Sequence, residues 1–285
     1  MLVRVWGCRG SLAAPGPDTV RYGGNTSCVE IRLDEDDTLI VLDAGTGIRP
    51  LGLSLERQPP KTVHLLMTHL HMDHLEGLGF FEPLWSRNVD FHIWGPRSSV
   101  RSLQSRIAKY LSPPLFPVSL SEIPSHPEFH DVPVEEWELA GAKIKAGPVK
   151  HPGPTVGYRI QHNGSALAYI PDHEPARGQR GVDFARAEPK WISGYDLASG
   201  VDVLLHDSQY TEEEYSARVG WGHSSIKHTA AFAQAAKAGR LVMFHHDPMH
   251  SDEELETMLD EVRGMWHGTG KEPVLAHEGM ELPLP

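Results

Sequence analysis

The sequence has few cysteines, no long apolar run and no excess of positive charge. Cys8 and Cys28 are its two cysteines, too few for a disulfide framework, so we expect both to be reduced structural thiols. No apolar run approaches the length of about 20 residues that a membrane helix needs. Residues 1–6 alternate like a strand and do not resemble a signal peptide. These absences predict a soluble, cytoplasmic protein with no membrane partner.

The formal net charge of −12 restricts the partners further. Affinity for a nucleic-acid backbone comes mainly from Lys and Arg side chains that neutralise phosphates. A nucleic-acid partner is therefore disfavoured, whereas a small anionic substrate held by metal ions is compatible with this charge.

Histidine is the residue type present in excess. It occupies 18 of the 285 positions, and many of these histidines are gathered in a few short segments. Since histidine is the commonest metal ligand in proteins, this clustering indicates a metal site.

Hydrophobic periodicity predicts an α/β fold. Alternation predicts strands over 2–6, 28–33, 38–42, 63–67, 142–146, 155–160, 166–170, 201–205 and 241–244. Helical spacing predicts helices over 98–111, over 225–238 and after the capping box at Ser251. Two runs of strands that are each followed by helix suggest two sheets packed face to face with helices outside. We expect a single domain over 1–285, with an insertion or lid at about 96–135.

The segment Thr68-His69-Leu70-His71-Met72-Asp73-His74 carries the strongest chemical signal. His69 and His71 are two residues apart, so in an extended chain both side chains leave on the same side and can share one ion. Asp73 and His74 follow where the chain turns, and they add an oxygen and a nitrogen ligand for a second ion. This pattern predicts a dinuclear metal centre.

Two ions need further ligands, because four residues cannot hold both and leave room for water. His151, Asp172 and His245 each follow a predicted strand, where a side chain is held rigidly beside an open loop. Taken singly, each can equally be a capping or hydrogen-bonded polar residue. Histidine and carboxylate ligands suit Zn²⁺, Mn²⁺ (manganese) or Fe, and Zn²⁺ (zinc) is the default.

The order His-x-His-x-Asp-His, then His, Asp and His, resembles the metallo-β-lactamase superfamily over nearly the whole chain. The resemblance implies a four-layer αβ/βα sandwich of two mixed β-sheets flanked by helices, and a homodimer. It implies that His69, His71 and His151 hold one ion, that Asp73, His74 and His245 hold the other, and that Asp172 bridges them. His245 is preferred to the alternative His246 because Asp247-Pro248 follow it at the family's spacing.

Two further segments, Gly220–Ser225 and Leu205–Asp207, resemble motifs of RNase Z and of the phosphoribosyl 1,2-cyclic phosphate phosphodiesterase. His223 precedes His245 by the separation found in those relatives. This resemblance implies that His223, oriented by Asp207, is the general acid that protonates the leaving alkoxide. Asp73 would help to orient or deprotonate the water while it binds metal. The structural alternative for His223 is a residue at the entry to a helix.

The segments Trp6–Ser11 and Tyr22–Cys28 resemble a bacterial subgroup of phosphodiesterase-like members. Asn25 is a candidate for holding its loop near the metals. Arg9 is a candidate phosphate contact, with a surface position as the equal alternative.

We therefore predict a dinuclear metal-dependent hydrolase, a phosphodiesterase that cleaves a small cyclic nucleotide or cyclic sugar phosphate with a metal-activated water. The alternative is a lactonase or thioesterase, because the same ions polarise a carbonyl equally well. An RNase Z-type endoribonuclease ranks lower, given the acidic charge and the lack of a recognisable tRNA-gripping arm. A non-catalytic diiron protein is disfavoured because such relatives usually carry Glu where this chain has His71.

Overall fold

The structure is a computed structural model that describes residues 1–33, 37–175, 188, 191–268 and 270–284. Its strands form two sheets of seven strands each. The strands of the first sheet are β1 (Leu2–Gly7), β2 (Cys28–Arg32), β3 (Thr38–Leu42), β4 (Thr62–Leu66), β5 (Asp90–Gly95), β6 (Glu128–Asp131) and β14 (Glu281–Pro283). The strands of the second are β7 (Trp137–Leu139), β8 (Ala142–Pro148), β9 (Val156–His162), β10 (Ser165–Ile170), β11 (Val203–Asp207), β12 (Arg240–Phe244) and β13 (Lys271–Leu275).

Both sheets share one pattern of strand directions. In the first sheet the neighbours are antiparallel from β14 through β1 and β2 to β3, and parallel from β3 through β4 and β5 to β6. In the second they are antiparallel from β7 to β10 and parallel from β10 to β13. Since parallel strands point the same way, the loops after them gather at one end of each sheet.

Helices flank both sheets. They are α1 (Ile48–Ser54), α2 (Leu103–Ile107), α3 (Tyr195–Ala198), α4 (Glu212–Ser216), α5 (Ile226–Ala235) and α6 (Asp252–Met265). The apolar faces of α5 and α6 join one buried cluster on the second sheet, whereas α1 and α2 join another on the first. A third cluster lies between the sheets and includes Val3, Tyr158 and Leu205. The predicted four-layer sandwich is confirmed.

The burial of each strand follows from its place in these layers. Alternate residues of β1 are buried, as expected for a strand with one face on the core. Every residue of β10 and of β11 is buried, because both lie in the middle of the second sheet with a layer on each face. The ends of the described chain are also joined: Met1 and Leu284 exchange two backbone hydrogen bonds, with N–O distances of 3.1 Å and 2.9 Å.

The segment 96–135 differs from its prediction in helical content. The helix predicted over 98–111 is shortened to α2, because Ser102 acts as the N-cap and accepts a hydrogen bond from the Ser105 N–H. Val100, which the apolar spacing had included, is 83% exposed. Leu111 and Phe116 are buried in the cluster on the first sheet, and a lid role for this segment stays a prediction.

None of the helices in the described part of the chain combines the length and the apolar character of a membrane span.

Candidate metal centre

The predicted ligands gather where strands of the two sheets end. The segment His69–His74 follows β4, and Asp172 and His245 follow β10 and β12. His151 lies in the turn between β8 and β9. Six of these seven side chains are buried, and His71 is the exposed one. The fold therefore brings together residues from both halves of the chain at one place.

The ligand atoms form two groups, each with all atoms within 4.8 Å of one another. The first group is His69, His71 and His151, in which His151 Nε2 lies 3.1 Å from His71 Nδ1. The second group is Asp73, His74, Asp172 and His245. These are the two sets that the sequence resemblance implied, and their role as metal ligands stays a prediction.

Asp172 faces both groups, with one carboxylate oxygen toward each. Its Oδ1 lies 2.9 Å from His74 Nε2 and 3.4 Å from His245 Nε2. Its Oδ2 lies 3.7 Å from the Nε2 atoms of both His69 and His151. This is the geometry that a carboxylate bridging two ions requires.

The other ring nitrogen of four histidines is held by an acceptor. His74 Nδ1 donates to Asp43 (2.8 Å), His151 Nδ1 to the Gly222 carbonyl (2.8 Å) and His245 Nδ1 to Gln209 (3.0 Å). His69 Nδ1 lies 3.1 Å from the Thr68 hydroxyl, which itself donates to Asp43. With the proton fixed on Nδ1, each ring presents the lone pair of Nε2 to the centre, as metal-bound histidines do.

Asp43 organises this shell beneath the centre. Its carboxylate also accepts from the Thr68 N–H (2.7 Å) and from the Tyr169 hydroxyl (3.0 Å), which reaches across from the second sheet. Asp43 was not among the predicted residues, although it follows a strand and precedes the glycine-containing turn Gly45-Thr46-Gly47. That position was the available signal. Gln209 had no such signal, because a single Gln after a predicted strand is not distinctive.

Several buried atoms of the centre lack hydrogen-bond partners and thereby fit bound cations. His69 Nε2, His74 Nε2 and Asp172 Oδ1 are all buried without a hydrogen bond, and unpaired buried polar atoms are costly unless a metal or water satisfies them. Burial lowers the pKa of His69 far below its usual value, and it lowers that of His151 to about 4. These rings are then neutral, the form that binds a metal.

The carboxylates of the centre call for positive charge. Burial acts to lower the pKa of His74, but Asp172, Asp73 and Asp43 outweigh it and hold that pKa well above its usual value. The negative charges around one imidazole are thus strong enough to protonate it when no other cation is near. Divalent ions would supply the same compensation, so the donor set fits two of them.

The two adjacent histidines at the end of β12 point to different places. His245 Nε2 lies 3.2 Å from Asp73 Oδ2, inside the second group. His246 Nε2 instead donates to the Ala276 carbonyl (2.9 Å), and its ring lies beside Tyr22. The orientation therefore favours His245 as the last ligand.

His223 and Asp207 form a hydrogen-bonded pair beside the metal-binding groups. His223 Nδ1 donates to Asp207 Oδ2 (2.8 Å), which leaves Nε2 as the nitrogen for a substrate. The His223 ring stacks on that of His245 with centroids 4.9 Å apart. Backbone N–H groups of His173 and Ser224 fix the Asp207 carboxylate. Burial acts to lower the pKa of His223, but Asp207 outweighs it and raises the pKa to about 9.

Glu174 is a buried carboxylate that the sequence reasoning missed. It accepts hydrogen bonds from the Tyr215 hydroxyl (2.9 Å) and from the N–H groups of Gly220 (2.8 Å) and Gly222 (2.9 Å). It thereby holds the loop that leads into His223. The same loop supplies the Gly222 carbonyl that accepts from His151. Its sequence signal was its position two residues after Asp172, a predicted ligand, and such a position is only weak evidence for a role.

The two candidates from the glycine-containing N-terminal segments have structural contacts. Arg9 is fully buried, and its guanidinium donates to the carbonyls of Gly23, Asp247 and His250. Arg9 is therefore not a surface residue, and its guanidinium is buried where it does not contact a phosphate. The Asn25 carbonyl accepts from the N–H groups of Cys8 and Arg9, which ties its loop to the end of β1.

Comparison with known proteins bears on the family and the fold of the chain. The family model described as a β-lactamase superfamily domain matches residues 38–246. The chain is 24% identical over 323 aligned residues to ribonuclease Z of Porphyromonas gingivalis, covering 99% of this chain and 98% of that protein.

Solved structures with the same fold include two of related architecture. Zn²⁺-bound PqqB from Methylobacterium extorquens superposes with a TM-score of 0.70 at 18% identity, covering 100% of both chains. A diphosphatase from the PhnP family gives a TM-score of 0.68 at 20% identity, covering 100% of this chain and 98% of that one. At these identities the likeness shows the shared fold.

Proposed function

Because the chain belongs to the hydrolases of the metallo-β-lactamase superfamily, we propose that it is a dinuclear phosphodiesterase. Its substrate would be a small cyclic nucleotide or a cyclic sugar phosphate. The observation that carries the proposal is the hydrogen-bonded pair His223–Asp207 beside the two groups of metal-binding side chains. Hydrolysis of a phosphodiester that releases an alkoxide needs a proton donor at this place.

Seven side chains would hold the ions. His69, His71 and His151 would hold one ion and Asp73, His74 and His245 the other, with Asp172 placed between the two sets. When bound, two divalent ions supply a water nucleophile of lowered pKa and offset negative charge on the phosphoryl oxygens. Asp73 orients the attacking water, and its own carboxylate is fixed by the Ser11 N–H at 2.7 Å.

His223 completes the reaction on the leaving-group side. As the oxygen of the deprotonated water bonds to phosphorus, the bond from phosphorus to the ester oxygen breaks, and the departing alkoxide takes the proton from His223 Nε2. The proton that the water lost goes to solvent, and His223 takes up a proton from solvent before the next turnover. Asp207 holds the ring with its other nitrogen and stabilises the imidazolium. A cyclic substrate opens to a phosphomonoester that carries the new hydroxyl.

A lactonase or thioesterase is the alternative with the same ions. A thiolate leaves without a proton, so a thioesterase has little use for a dedicated acid. The fixed His223–Asp207 pair therefore favours a substrate that releases an alkoxide over a thioester. A lactone also releases an alkoxide, so a comparison of substrates has to separate it from the phosphodiester.

An RNase Z-type endoribonuclease is a second candidate because the relative from Porphyromonas gingivalis carries that name. The formal net charge of −12 argues against a long RNA substrate.

The assay that tests the proposal compares four substrates on protein reconstituted with Zn²⁺ or Mn²⁺. They are a 2′,3′-cyclic nucleotide, bis(p-nitrophenyl) phosphate, a homoserine lactone and a precursor tRNA. We expect the two small phosphodiesters to be hydrolysed fastest. A lactone turned over far faster than either, or a tRNA trimmed at its 3′ end with higher kcat/KM, would reject the small-phosphodiester assignment.

His223→Ala tests the acid role on two leaving groups. The variant should lose roughly 100-fold or more in kcat on the cyclic nucleotide, within the range for general acid catalysis. It should lose much less on bis(p-nitrophenyl) phosphate, because p-nitrophenolate leaves without a proton. His126→Ala, at an exposed histidine elsewhere, is the matched control and should behave like the parent protein. Equal losses on both substrates would exclude proton donation by His223.

A further inference from the structure

A second histidine-containing cluster lies on the first sheet, away from the centre described above. It consists of His92 on β5 and of Glu128 and His130 on β6. The two strands pair in parallel, with His92 opposite Glu128 and Trp94 opposite His130. Because residues two apart in a strand share a face, these four side chains project from the same side of the sheet.

Neighbouring rings hold both imidazoles in place. The His92 ring stacks on that of His64 with centroids 4.8 Å apart, and the His130 ring stacks on Trp94 with centroids 4.2 Å apart. The Trp94 indole N–H also donates to His64 Nδ1 at 3.3 Å. Side chains fixed by packing lose little freedom when they bind a ligand.

The three donor atoms are spaced as ligands of one ion. His92 Nδ1 lies 3.1 Å from His130 Nε2, and Glu128 Oε2 lies 3.6 Å and 3.8 Å from these two nitrogens. Nitrogen and oxygen ligands lie about 2.0–2.2 Å from Zn²⁺, so any two of them in a tetrahedral site are roughly 3.3–3.5 Å apart. Small shifts bring all three atoms to that spacing.

Asp90 prepares His92 for this role. Its Oδ2 lies 3.2 Å from His92 Nε2, which favours the proton on Nε2 and leaves the Nδ1 lone pair facing His130 and Glu128. A carboxylate behind a histidine is the usual outer partner of a metal ligand.

We propose that His92, Glu128 and His130 form a separate binding site for a borderline divalent transition metal, Zn²⁺ being the first choice. Two imidazoles and one carboxylate suit such an ion. The Glu128 side chain is 64% exposed, so water completes the coordination. The cluster lies beside His64, which is within β4, whereas the segment His69–His74 follows the carboxyl end of that strand. The proposed site is therefore separate from the catalytic centre.

The site links the edge strand of the first sheet to its neighbour. β6 pairs with β5 and is the last strand of that sheet. Residues 96–127 connect β5 to β6, so β6 is where the chain returns to the sheet after this long segment. An ion held by both strands would secure the return of this segment and would tie the edge strand to its neighbour through side chains as well as through backbone pairing.

The test is calorimetric titration of Zn²⁺ into tag-free holoprotein whose catalytic centre is already filled. The parent protein should bind one more equivalent of Zn²⁺ than the His130→Gln variant, with kcat the same in both. Glu128→Gln removes an exposed ligand with little risk to folding and should weaken the extra binding by at least about tenfold. Asp90→Asn should weaken it by about tenfold, the usual effect of losing an outer partner.

His126→Gln is the matched control in the same region and should keep the full stoichiometry. The proposal is overturned if the parent protein and His130→Gln bind the same number of ions, which would leave His92 and His130 as a hydrogen-bonded pair. It is also overturned if His126→Gln loses the extra equivalent as well. Because the readout is binding and not turnover, the result is independent of the proposed phosphodiesterase activity.

Discussion

At the scale of single residues, the backbone at Gly222 decides where His151, a predicted metal ligand, lies. Its carbonyl accepts the Nδ1 proton of His151. Its φ is +95°, and an added Cβ would overlap the Pro152 ring and the His151 imidazole. Gly220, two residues earlier, has a φ of +92° but open space where a Cβ would be. The two glycines therefore share backbone strain and differ in contact.

This difference gives a matched pair of variants. Gly222→Ala should displace His151, lower the metal content and reduce kcat by roughly 100-fold, the scale of an ångström-sized misplacement. Gly220→Ala should cost only the left-handed conformation, about 1–2 kcal/mol of unfolding free energy. Metal analysis and kinetics on both variants measure the effect. Similar losses in the two would mean that strain, and not contact with His151, matters.

The residues that the sequence could predict were those with short-range patterns. His69, His71, Asp73 and His74 stand in one segment, and Asp172 and His245 each follow an apolar strand. Asp43, Gln209 and Glu174 could not be chosen in this way, because their roles come from contacts with residues far along the chain. Glu174, for example, meets Gly222 only once β10 and the loop before α5 have come together.

At the scale of elements, the loop before α5 depends on one buried carboxylate. Glu174 receives three hydrogen bonds from that loop and from α4. The loop then supplies both His223 and the carbonyl that orients His151. A change at Glu174 therefore acts on the centre through the loop, without touching a substrate.

Glu174→Gln should lower the free energy of unfolding by about 1–3 kcal/mol, because an amide N–H₂ would face a backbone donor. It should also reduce kcat more strongly on a cyclic nucleotide than on bis(p-nitrophenyl) phosphate, the pattern expected for His223→Ala. Tyr215→Phe removes one donor and keeps the charge, so it serves as the milder comparison. Loss of stability without a change in leaving-group dependence would argue for a purely structural role.

The strands that the sequence did not predict are those with polar or interrupted patterns. β5 carries His92 and Trp94 on one face, β6 reads Glu-Phe-His-Asp, and β13 contains Pro273. Such segments become strands because a neighbour in the sheet pairs with them, and propensity alone does not report that pairing. The central strands were predicted because burial on both faces makes them continuously apolar.

At the scale of the whole molecule, the centre joins the two sheets. The first half of the chain supplies His69, His71, Asp73 and His74, and the second supplies His151, Asp172 and His245. The Tyr169 hydroxyl adds a hydrogen bond from the second sheet to Asp43 at the end of the first. We expect ions bound at this centre to help hold the halves together.

Removal of the ions should destabilise the fold. A ligand present at 100 times its Kd stabilises the native state by about 2.7 kcal/mol, and each kcal/mol shifts Tm by roughly 2–4 °C in a chain of this size. Chelation should thus lower the Tm by at least about 5 °C, measured by calorimetry in the His130→Gln background so that the site on β5 and β6 does not contribute. An unchanged Tm would mean that the halves associate without help from the metals.

The hydrogen bonds between Met1 and Leu284 also bear on whether the order of the two halves along the chain can be reversed. A short linker between Met1 and Leu284 and new ends in the exposed stretch 134–136 would give a circular permutant that begins with β7 and keeps every strand neighbour. We expect this permutant to bind both ions and to stay active, whereas opening the chain between Leu66 and His69 should abolish both. The covalent connection between the halves at residues 134–136 would then be dispensable, whereas the centre that both halves build would be required.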